Sequence, residues 1–316
     1  MTRIAALFTL AFFALTPIVA ADGGHRGTYD ITALTRIDFS TLPEPTFFPA
    51  RDGTPLAVRI YSANASTVIV ALHGSSGNGR YYLPMARHLS ALGTVAVYAV
   101  DLRGHGLSGG RRGDVDYVGQ LEDDLADVLT VVRMRHPGAR IVLMGHSAGG
   151  GLAVRYAGGE RKPAVDGYIL LAPYLGPWAP TTRPSAGGWA TTDTLKIARL
   201  KLQSALGITR GQDDVVVRFD MSDAERARGG VGAYTYRMAA SISPRSLRGA
   251  DLAAVGEPLL VLVGERDESF YPDRYEALVH EYTKATVGVL PGITHLELVV
   301  HPSTAQAIGT WLATRP

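Results

Sequence analysis

The hexapeptide Gly145-His146-Ser147-Ala148-Gly149-Gly150 constrains the fold of this chain more than any other stretch. The apolar run Ile141–Met144 precedes it and a helical pattern from Leu152 follows it, which predicts a strand, a tight turn and a helix. In a G-x-S-x-G turn of this kind the serine lies on a strained corner with its hydroxyl exposed, and the glycines allow close backbone approach. The N-terminal amides and the positive dipole end of the helix point toward any anion that forms there. We therefore predict that Ser147 is a nucleophile.

Apolar runs alternate with helical patterns on both sides of this turn. Strands are predicted at residues 68–72, 95–100, 141–144, 167–171, 259–263 and 286–290, and helices near residues 81–92, 115–134, 271–282 and 303–312. An Asp52-Gly53 turn between two earlier apolar runs predicts an antiparallel hairpin at one edge. The pattern is that of an α/β fold, with a mostly parallel central sheet and helices on both faces.

Residues 46–172 and 257–316 form the predicted core, and residues 173–256 interrupt it. The interrupting segment is rich in proline, contains Trp178 and Trp189, and shows no strand of the parallel type. An insertion at the carboxyl ends of the strands lies over the crevice where α/β sheets bind ligands, so we expect it to form a cap. Residues 22–45 are polar and lack periodicity, which predicts a leader that is poorly ordered or draped over the surface.

Residues 1–21 are typical of a cleaved signal peptide. Arg3 precedes the apolar run Ile4–Leu15, which is followed by Pro17 and by small residues up to Ala21. The run is shorter than the roughly 20 residues that a spanning helix needs, so no stable membrane span is expected after cleavage. The chain has 0 cysteines, which excludes a disulfide framework and agrees with a periplasmic or secreted location. Its formal net charge of +2 comes from well-mixed signs, so nucleic acid is not an expected partner.

A serine hydroxyl needs a base to take its proton, and the base needs an acid that orients it. Asp267 follows the predicted strand 259–263, and His295 follows the predicted strand 286–290. Both positions are strand ends, so we predict that Asp267 orients His295 and that His295 is the base. The alternatives nearby are the carboxylates of Glu265, Glu268 and Asp273 and the imidazole of His301.

Acyl transfer also needs hydrogen-bond donors for the oxyanion of the tetrahedral intermediate. The amide after the nucleophile, that of Ala148, is one predicted donor. The loop His73–Gly77 follows the strand from which the second donor should come, and the backbone amide of Ser75 is the predicted donor there.

Together these motifs resemble serine hydrolases of the α/β-hydrolase superfamily, and within it the monoacylglycerol lipase and lysophospholipase-like group. The resemblance covers residues 46–316 outside the predicted cap, and the order Ser147, Asp267, His295 is the order of α/β-hydrolase triads. It is carried by the segments His73-Gly74, Arg80-Tyr81-Tyr82, Asp101–Gly109 and Gly145–Gly150 and by the surroundings of Asp267 and His295. Two departures are Ser76, where relatives often have glycine, and Ala148, where many monoacylglycerol lipases have a bulkier residue. The resemblance implies an α/β-hydrolase fold and a structural role for the loop of His105.

Three further groups of residues have more than one interpretation. The arginines Arg103, Arg111 and Arg112 either meet an anionic head group or are ordinary surface charge, which is the usual case. The acidic residues Glu122, Asp123, Asp124 and Asp127 are interpreted as the solvated face of a helix and not as a metal site. The side chains of Tyr174, Leu175, Trp178 and Trp189 either line an acyl pocket or pack inside the cap.

The predicted function is that of a secreted serine hydrolase that needs no metal or cofactor and acts on carboxylic esters. The expected substrate is a monoacyl lipid or another small hydrophobic ester, cleaved through an acyl-enzyme. One alternative is an aminopeptidase on the same scaffold, whose cap carboxylates would bind a substrate amine; the candidates are Asp193, Asp213, Asp214 and Glu225. The other alternative is a binding protein that keeps the fold without catalysis.

Overall fold

A computed structural model describes residues 30–160, 163–221, 223–245 and 249–314 of the 316-residue chain. The predicted signal peptide, residues 1–21, lies outside the described residues. The strands are β1 (Thr46–Pro49), β2 (Pro55–Tyr61), β3 (Thr67–Leu72), β4 (Val95–Val100), β5 (Arg140–His146), β6 (Gly167–Leu171), β7 (Ala190–Thr192), β8 (Val215–Phe219), β9 (Ala233–Thr235), β10 (Leu259–Gly264) and β11 (Thr286–Leu290). The α-helices are α1 (Thr32–Thr35), α2 (Leu83–Ser90), α3 (Gln120–Arg135), α4 (Ala148–Ala157), α5 (Thr194–Ala205), α6 (Asp223–Ala227), α7 (Tyr236–Ser241), α8 (Ala250–Ala253), α9 (Tyr275–His280) and α10 (Pro302–Ala313).

The central sheet has eight strands in the order β1-β2-β4-β3-β5-β6-β10-β11. Six of these strands, β4, β3, β5, β6, β10 and β11, are parallel to one another. Strands β1 and β2 add an antiparallel hairpin at the edge next to β4. Every residue of β3, β4, β6 and β10 is buried, which explains why these strands are continuous apolar runs in the sequence. The predicted mostly parallel sheet is confirmed.

Two groups of helices pack on this sheet. Helices α2 and α10 contact each other, and α4 contacts α3 and α8. Helix α3 buries an amphipathic stripe that includes Leu121, Leu125 and Val132, as its spacing predicts. It begins at Gln120 and not near residue 115, because the preceding residues form turns and Gly119 has a φ of 108°, outside the helical region.

The segment between β6 and β10 has a small antiparallel sheet of its own, in the order β7-β8-β9. Helices α5, α6, α7 and α8 belong to the same part of the chain. Its aromatic side chains pack together, with the Phe219 ring 4.5 Å from Trp189 and 4.8 Å from Tyr234. Where a cap domain would begin and end stays a prediction.

The described part of the leader, from Asp30, packs on the core more closely than a surface-draped segment would. Leu34, Ile37, Phe39 and Leu42 are half-buried against the core. The guanidinium of Arg87 donates to the carbonyl of Thr41 at 2.9 Å. Nowhere in the described ranges is a helix both long enough and apolar enough to cross a bilayer.

Candidate active site

Ser147 lies between β5 and α4 on a strained backbone corner. Its φ of 53° and ψ of −117° fall outside the regions that residues with side chains favour. The turn closes this tightly because a Cβ at Gly145 would collide with the carbonyl of Gly149, and one at Gly149 with the carbonyl of Leu72. The serine is only 9% exposed and lines a cavity, so its hydroxyl is reached through that cavity.

Asp267 and His295 meet at the carboxyl ends of β10 and β11, as strand-end reasoning predicts. The Nδ1–H of His295 donates to Oδ2 of Asp267 at 2.7 Å, and both side chains are buried. The other oxygen, Oδ1, accepts hydrogen bonds from the amides of Ser269 at 2.9 Å and Phe270 at 2.8 Å. These bonds orient the carboxylate and the imidazole, an arrangement that allows Nε2 of His295 to accept a proton. His295 lines the same cavity as Ser147.

The alternative acids and the alternative base have other partners or other places. The carboxylate of Glu265 accepts from the amide of Gly292 at 2.7 Å, and that of Glu268 accepts from the amide of His295 at 2.8 Å. Asp273 is exposed. His301 accepts from the amide of Ser303 and caps α10. The geometry therefore favours Asp267 and His295 over these neighbours.

The predicted oxyanion loop is held by two tyrosines on either side of Ser75. The hydroxyl of Tyr81 accepts from the amide of Gly74, and the hydroxyl of Tyr234 accepts from the amide of Ser76 at 2.8 Å. Within the described ranges the amide of Ser75 has no partner, and Ser75 lines a cavity with Ser147. Ala148 opens α4, so its amide is one of the N-terminal donors without an intrahelical acceptor. The two amides that sequence reasoning selects are therefore available as donors.

Each tyrosine hydroxyl in turn donates to a buried histidine. Nε2 of His146 lies 3.1 Å from the carbonyl oxygen of His295, and only a protonated nitrogen can donate a hydrogen bond to a carbonyl. In the neutral ring Nδ1 then carries no proton, so it accepts a hydrogen bond from the Tyr81 hydroxyl at 3.2 Å. By the same argument Nδ1 of His105 donates to the carbonyl of Arg103 at 3.0 Å and Nε2 accepts from Tyr234 at 2.7 Å.

Both of these histidines are neutral in the folded protein. Burial lowers the pKa of His146 well below its ordinary value, and the neighbouring His295 lowers it further. Burial, followed by the neighbouring His73, lowers the pKa of His105 to about 3. Sequence reasoning missed Tyr81, His146 and Tyr234 as supports of the site. The predicted structural role of the His105 loop agrees with its buried hydrogen bonds.

Two cavities meet at Ser147. The first, which we call the aromatic cavity, has a volume of about 260 Å³. Its lining is largely apolar and aromatic and includes the predicted Tyr174, Leu175, Trp178 and Trp189, together with Phe219 and Ile242. The basic side chains of Arg155, Lys201 and Arg245 also line it. Of the two interpretations of the four predicted residues, their position here favours the lining of an acyl pocket.

The second cavity, which we call the arginine cavity, has a volume of about 240 Å³ and lies on the side of the leader. Its wall contains Ile31, Leu34, Ile37 and Phe39 of the leader and Arg80, Glu225 and Arg228. Ser75, Ser147 and Trp189 line both cavities. The contribution of the leader to this wall was not predicted.

The three arginines considered for an anionic head group are engaged elsewhere. Arg103 is not surface charge, because it is 3% exposed and forms ion pairs with Asp124 at 2.6 Å and Asp52 at 2.9 Å. Arg111 pairs with Asp114 at 2.9 Å, and Arg112 donates to the carbonyls of Gly106 and Gly229. None of the three lines either cavity.

The acidic residues of α3 are also paired with arginines, and only some of them are exposed to solvent. Asp124 is buried against Arg103, and Glu122 pairs with Arg155 and Arg245. Asp123 and Asp127 both pair with Arg51, at 2.8 and 3.0 Å. The prediction of a solvated face was wrong for Asp124 and Glu122, which arginines distant in sequence cover, whereas Asp123 is 37% exposed beside the exposed Arg51.

Curated relatives match part of the chain. The monoacylglycerol lipase of Mycolicibacterium smegmatis is 32% identical over 105 residues, which are 33% of this chain and 36% of that protein. The monoglyceride lipase of Homo sapiens is 30% identical over 126 residues, which are 39% of this chain and 41% of that protein. The matched segments therefore span less than half the length of these relatives.

Solved structures match nearly the whole fold. A soluble variant of monoglyceride lipase from Saccharomyces cerevisiae superposes with a TM-score of 0.66 at 17% identity, covering 88% of this chain and 98% of that one. A thermophilic esterase from Thermogutta terrifontis superposes with a TM-score of 0.60 at 22% identity, covering 86% of this chain and 98% of that one. These similarities confirm the predicted α/β-hydrolase fold.

The family match covers most of the chain. The model of the family described as serine aminopeptidase, S33, matches residues 63–299, from just after β2 to the residues before α10. The chain therefore belongs to the serine aminopeptidase S33 family of α/β hydrolases.

Proposed function

We propose that this protein is a serine hydrolase of carboxylic esters whose substrate is a monoacyl lipid or another small hydrophobic ester. One observation carries the proposal: Ser147 and His295 line one cavity, and His295 is bonded to the buried Asp267 at 2.7 Å. The similarity to monoacylglycerol lipases and esterases supports it.

The reaction begins when Oγ of Ser147 attacks the carbonyl carbon of the ester. His295 Nε2 takes the hydroxyl proton, and the carbonyl electron pair moves to the oxygen, which the amides of Ser75 and Ala148 stabilise. When the tetrahedral intermediate collapses, the bond to the alcohol oxygen breaks and His295 returns the proton to that oxygen. Water then attacks the acyl-enzyme in the same way and releases the fatty acid and free Ser147.

The direct test replaces Ser147 with alanine. Hydrolysis of p-nitrophenyl butyrate should fall by at least about 10³-fold while the circular dichroism spectrum stays unchanged, because the nucleophile is lost and the fold is not. The matched control is Ser90→Ala, whose hydroxyl donates to the carbonyl of Arg87 on the surface; it should keep wild-type turnover. Unchanged hydrolysis by Ser147→Ala would contradict the proposal, as would failure of the wild type to react with a fluorophosphonate probe.

The charges around Ser147 favour the hypothesis of an ester hydrolase over that of an aminopeptidase. Asp193, Asp213 and Asp214 line neither of the two cavities, and Glu225 shares the arginine cavity with two cations. A substrate ammonium would meet Arg80 and Arg228 there. We expect kcat/KM for aminoacyl p-nitroanilides to be at least about 100-fold lower than kcat/KM for p-nitrophenyl esters. Steady-state kinetics that follow the release of the coloured product would measure both values.

Export to the periplasm or the medium is part of the same proposal and is supported by the pattern of residues 1–21. Fractionation of the cells that make the protein, followed by N-terminal sequencing, would test it. An N-terminus near Ala21 in the exported fraction is the expected result, and an intact Met1 in the cytosol would contradict it.

A further inference from the structure

The leader forms part of the wall around Ser147. The arginine cavity is lined by four apolar side chains of the leader, those of Ile31, Leu34, Ile37 and Phe39. All four are half-buried, and the last three pack against the core. The family match begins at residue 63, so this apolar wall comes from a part of the chain that the family model does not cover.

Hydrogen bonds hold the described part of the leader at both of its ends. The amide of Asp30 donates to one oxygen of the Glu268 carboxylate at 3.4 Å, and the amide of His295 donates to the other oxygen at 2.8 Å. At the far end the guanidinium of Arg87 donates to the carbonyl of Thr41 at 2.9 Å. The leader is thus tied through one carboxylate to the backbone of the proposed base.

The position of His295 determines which half of an ester the arginine cavity receives. When the acyl-enzyme forms, the protonated imidazole gives its proton to the oxygen of the leaving alcohol, so the alcohol must lie on the side of Ser147 that faces His295. Of the two cavities, His295 lines only the arginine cavity. An ester cleaved by this mechanism would therefore place its alcohol against the leader and its acyl chain in the aromatic cavity.

We propose that the leader is the alcohol-binding wall of the site and that it selects esters whose alcohol carries an apolar chain. This inference rests on the proposed function, since it needs an ester that Ser147 cleaves. The side chains of Leu34 and Ile37 provide apolar surface on which an alkyl chain is buried, whereas the hydroxyls of glycerol would lose water against such a wall. The preferred substrates are then alkyl esters and not esters of glycerol.

The charged side chains of the same cavity leave this apolar wall in place. Arg80, Glu225 and Arg228 also line the cavity. The guanidinium carbon of Arg80 lies 4.9 Å from the centroid of the Phe39 ring, so the leader packs over this charge. Because Phe39 both lines the cavity and contacts Arg80, the apolar wall is tested at other leader positions.

The test compares esters of one acid, so that only the alcohol changes. The substrates are ethyl butyrate, hexyl butyrate and 1-butyrylglycerol below their solubility limits, and the measured quantity is kcat/KM. Each buried methylene contributes about fourfold to kcat/KM, so the value for hexyl butyrate should exceed the values for both other esters by at least about tenfold. Cleavage of 1-butyrylglycerol with the same or a higher kcat/KM than hexyl butyrate would overturn the inference.

Substitutions in the leader show whether this wall causes the preference. Leu34→Ala and Ile37→Ala should each lower the ratio of kcat/KM for hexyl butyrate to kcat/KM for ethyl butyrate by about threefold or more. The matched control is Leu42→Ala, a leader leucine that is half-buried against the core and lines neither cavity; it should keep the wild-type ratio. Because the ratio does not depend on the concentration of folded enzyme, a variant that folds incompletely still gives a valid result.

The length of the acyl chain gives an independent readout. The ratio of kcat/KM for ethyl octanoate to kcat/KM for ethyl butyrate should fall by about threefold in Leu175→Ala, whose side chain lines only the aromatic cavity, and stay unchanged in Leu34→Ala. If Leu34→Ala changes the acyl ratio instead of the alcohol ratio, or changes neither, the inference is wrong and the proposed function stands. If hydrolysis of ethyl butyrate persists in Ser147→Ala, the proposed function itself fails.

Discussion

At the scale of single residues, the candidate site is held together by hydrogen bonds between side chains and backbone groups around Ser147. Tyr81 joins the amide of Gly74 to His146, and His146 donates to the carbonyl of His295. This chain of hydrogen bonds links the loop that carries the Ser75 amide to the backbone of the proposed base. The position of the Ser75 amide, the proposed oxyanion donor, is therefore linked through these bonds to the position of His295.

Removing the Tyr81 hydroxyl tests this coupling. In Tyr81→Phe the buried amide of Gly74 loses its acceptor, so the loop should shift and displace the Ser75 amide. An oxyanion contact forms only in the transition state, so we expect kcat to fall by about tenfold or more with KM changed by less than about twofold. Steady-state kinetics with p-nitrophenyl butyrate measures both parameters.

The next residue provides the control for this variant. The hydroxyl of Tyr82 is also buried and its ring lies 4.7 Å from that of Tyr81, but it donates to the carbonyl of Leu72 at 2.9 Å. Within the described ranges no hydrogen bond joins it to the amides of Gly74 or Ser76. Tyr82→Phe should lower the free energy of unfolding by about 1 kcal/mol and leave kcat within about twofold of wild type. Equal kcat values for the two variants would show that Tyr81 only stabilises the fold.

At the scale of elements, strand ends are predictable from the sequence because a strand buried on both faces is a continuous apolar run. This is why the sequence predicts that Asp267 and His295 meet, and the Nδ1 atom of His295 lies 2.7 Å from Oδ2 of Asp267. Their roles stay predictions until the variants are made. Tyr234 could not be found in this way, because it binds the amide of Ser76 across 158 residues of sequence and its own strand β9 has only three residues.

The acidic residues of α3 show what a sequence pattern does not predict, namely the distant partners of charged side chains. Charged residues on a helix are usually solvated, and the pattern does not show which basic residues cover them. Asp124 is buried next to Arg103, which comes from the loop after β4. Burial raises the pKa of Asp124, and the hydrogen bond from Arg103 opposes this effect. The pair thus ties α3 to the loop that carries His105.

Asp124→Asn tests how much the pair of Asp124 with Arg103 contributes to the free energy of unfolding. The substitution leaves a buried guanidinium with Asp52 as its remaining carboxylate partner, so we expect the free energy of unfolding to fall by about 3 kcal/mol. Urea denaturation followed by circular dichroism measures the change. As a control, Asp116→Asn removes a pair with Arg111 in which both side chains are 59% exposed, and it should cost less than about 1 kcal/mol. A similar small loss for Asp124→Asn would mean that Asp52 compensates fully.

At the scale of the whole molecule, a hydrogen bond to a neutral histidine joins the central sheet to the segment after β6 near Ser147. His105 belongs to the loop after β4, and Tyr234 belongs to β9 of the smaller sheet. The Tyr234 hydroxyl also holds the Ser76 amide, so three separate parts of the chain meet at one hydroxyl. This junction requires Nε2 of His105 to accept a hydrogen bond, which a protonated imidazole cannot do.

Acid should therefore weaken the whole fold through His105. Its pKa is about 3 in the folded protein because of burial, against about 6.5 in an unfolded chain. Between these values the unfolded state binds more protons, so the stabilisation is complete above about pH 6.5 and is lost as the pH falls toward 3. At pH 5 the loss from this residue is about 2 kcal/mol relative to pH 8. Urea denaturation at the two pH values measures the free energy of unfolding, and the pH-dependent loss should be about 2 kcal/mol smaller in His105→Gln than in wild type.

The control is His280→Gln, which replaces an exposed histidine at the end of α9 and should keep the wild-type difference between the two pH values. If His105→Gln keeps it as well, the acid sensitivity of the fold comes from other groups and the junction at Tyr234 does not depend on a neutral imidazole.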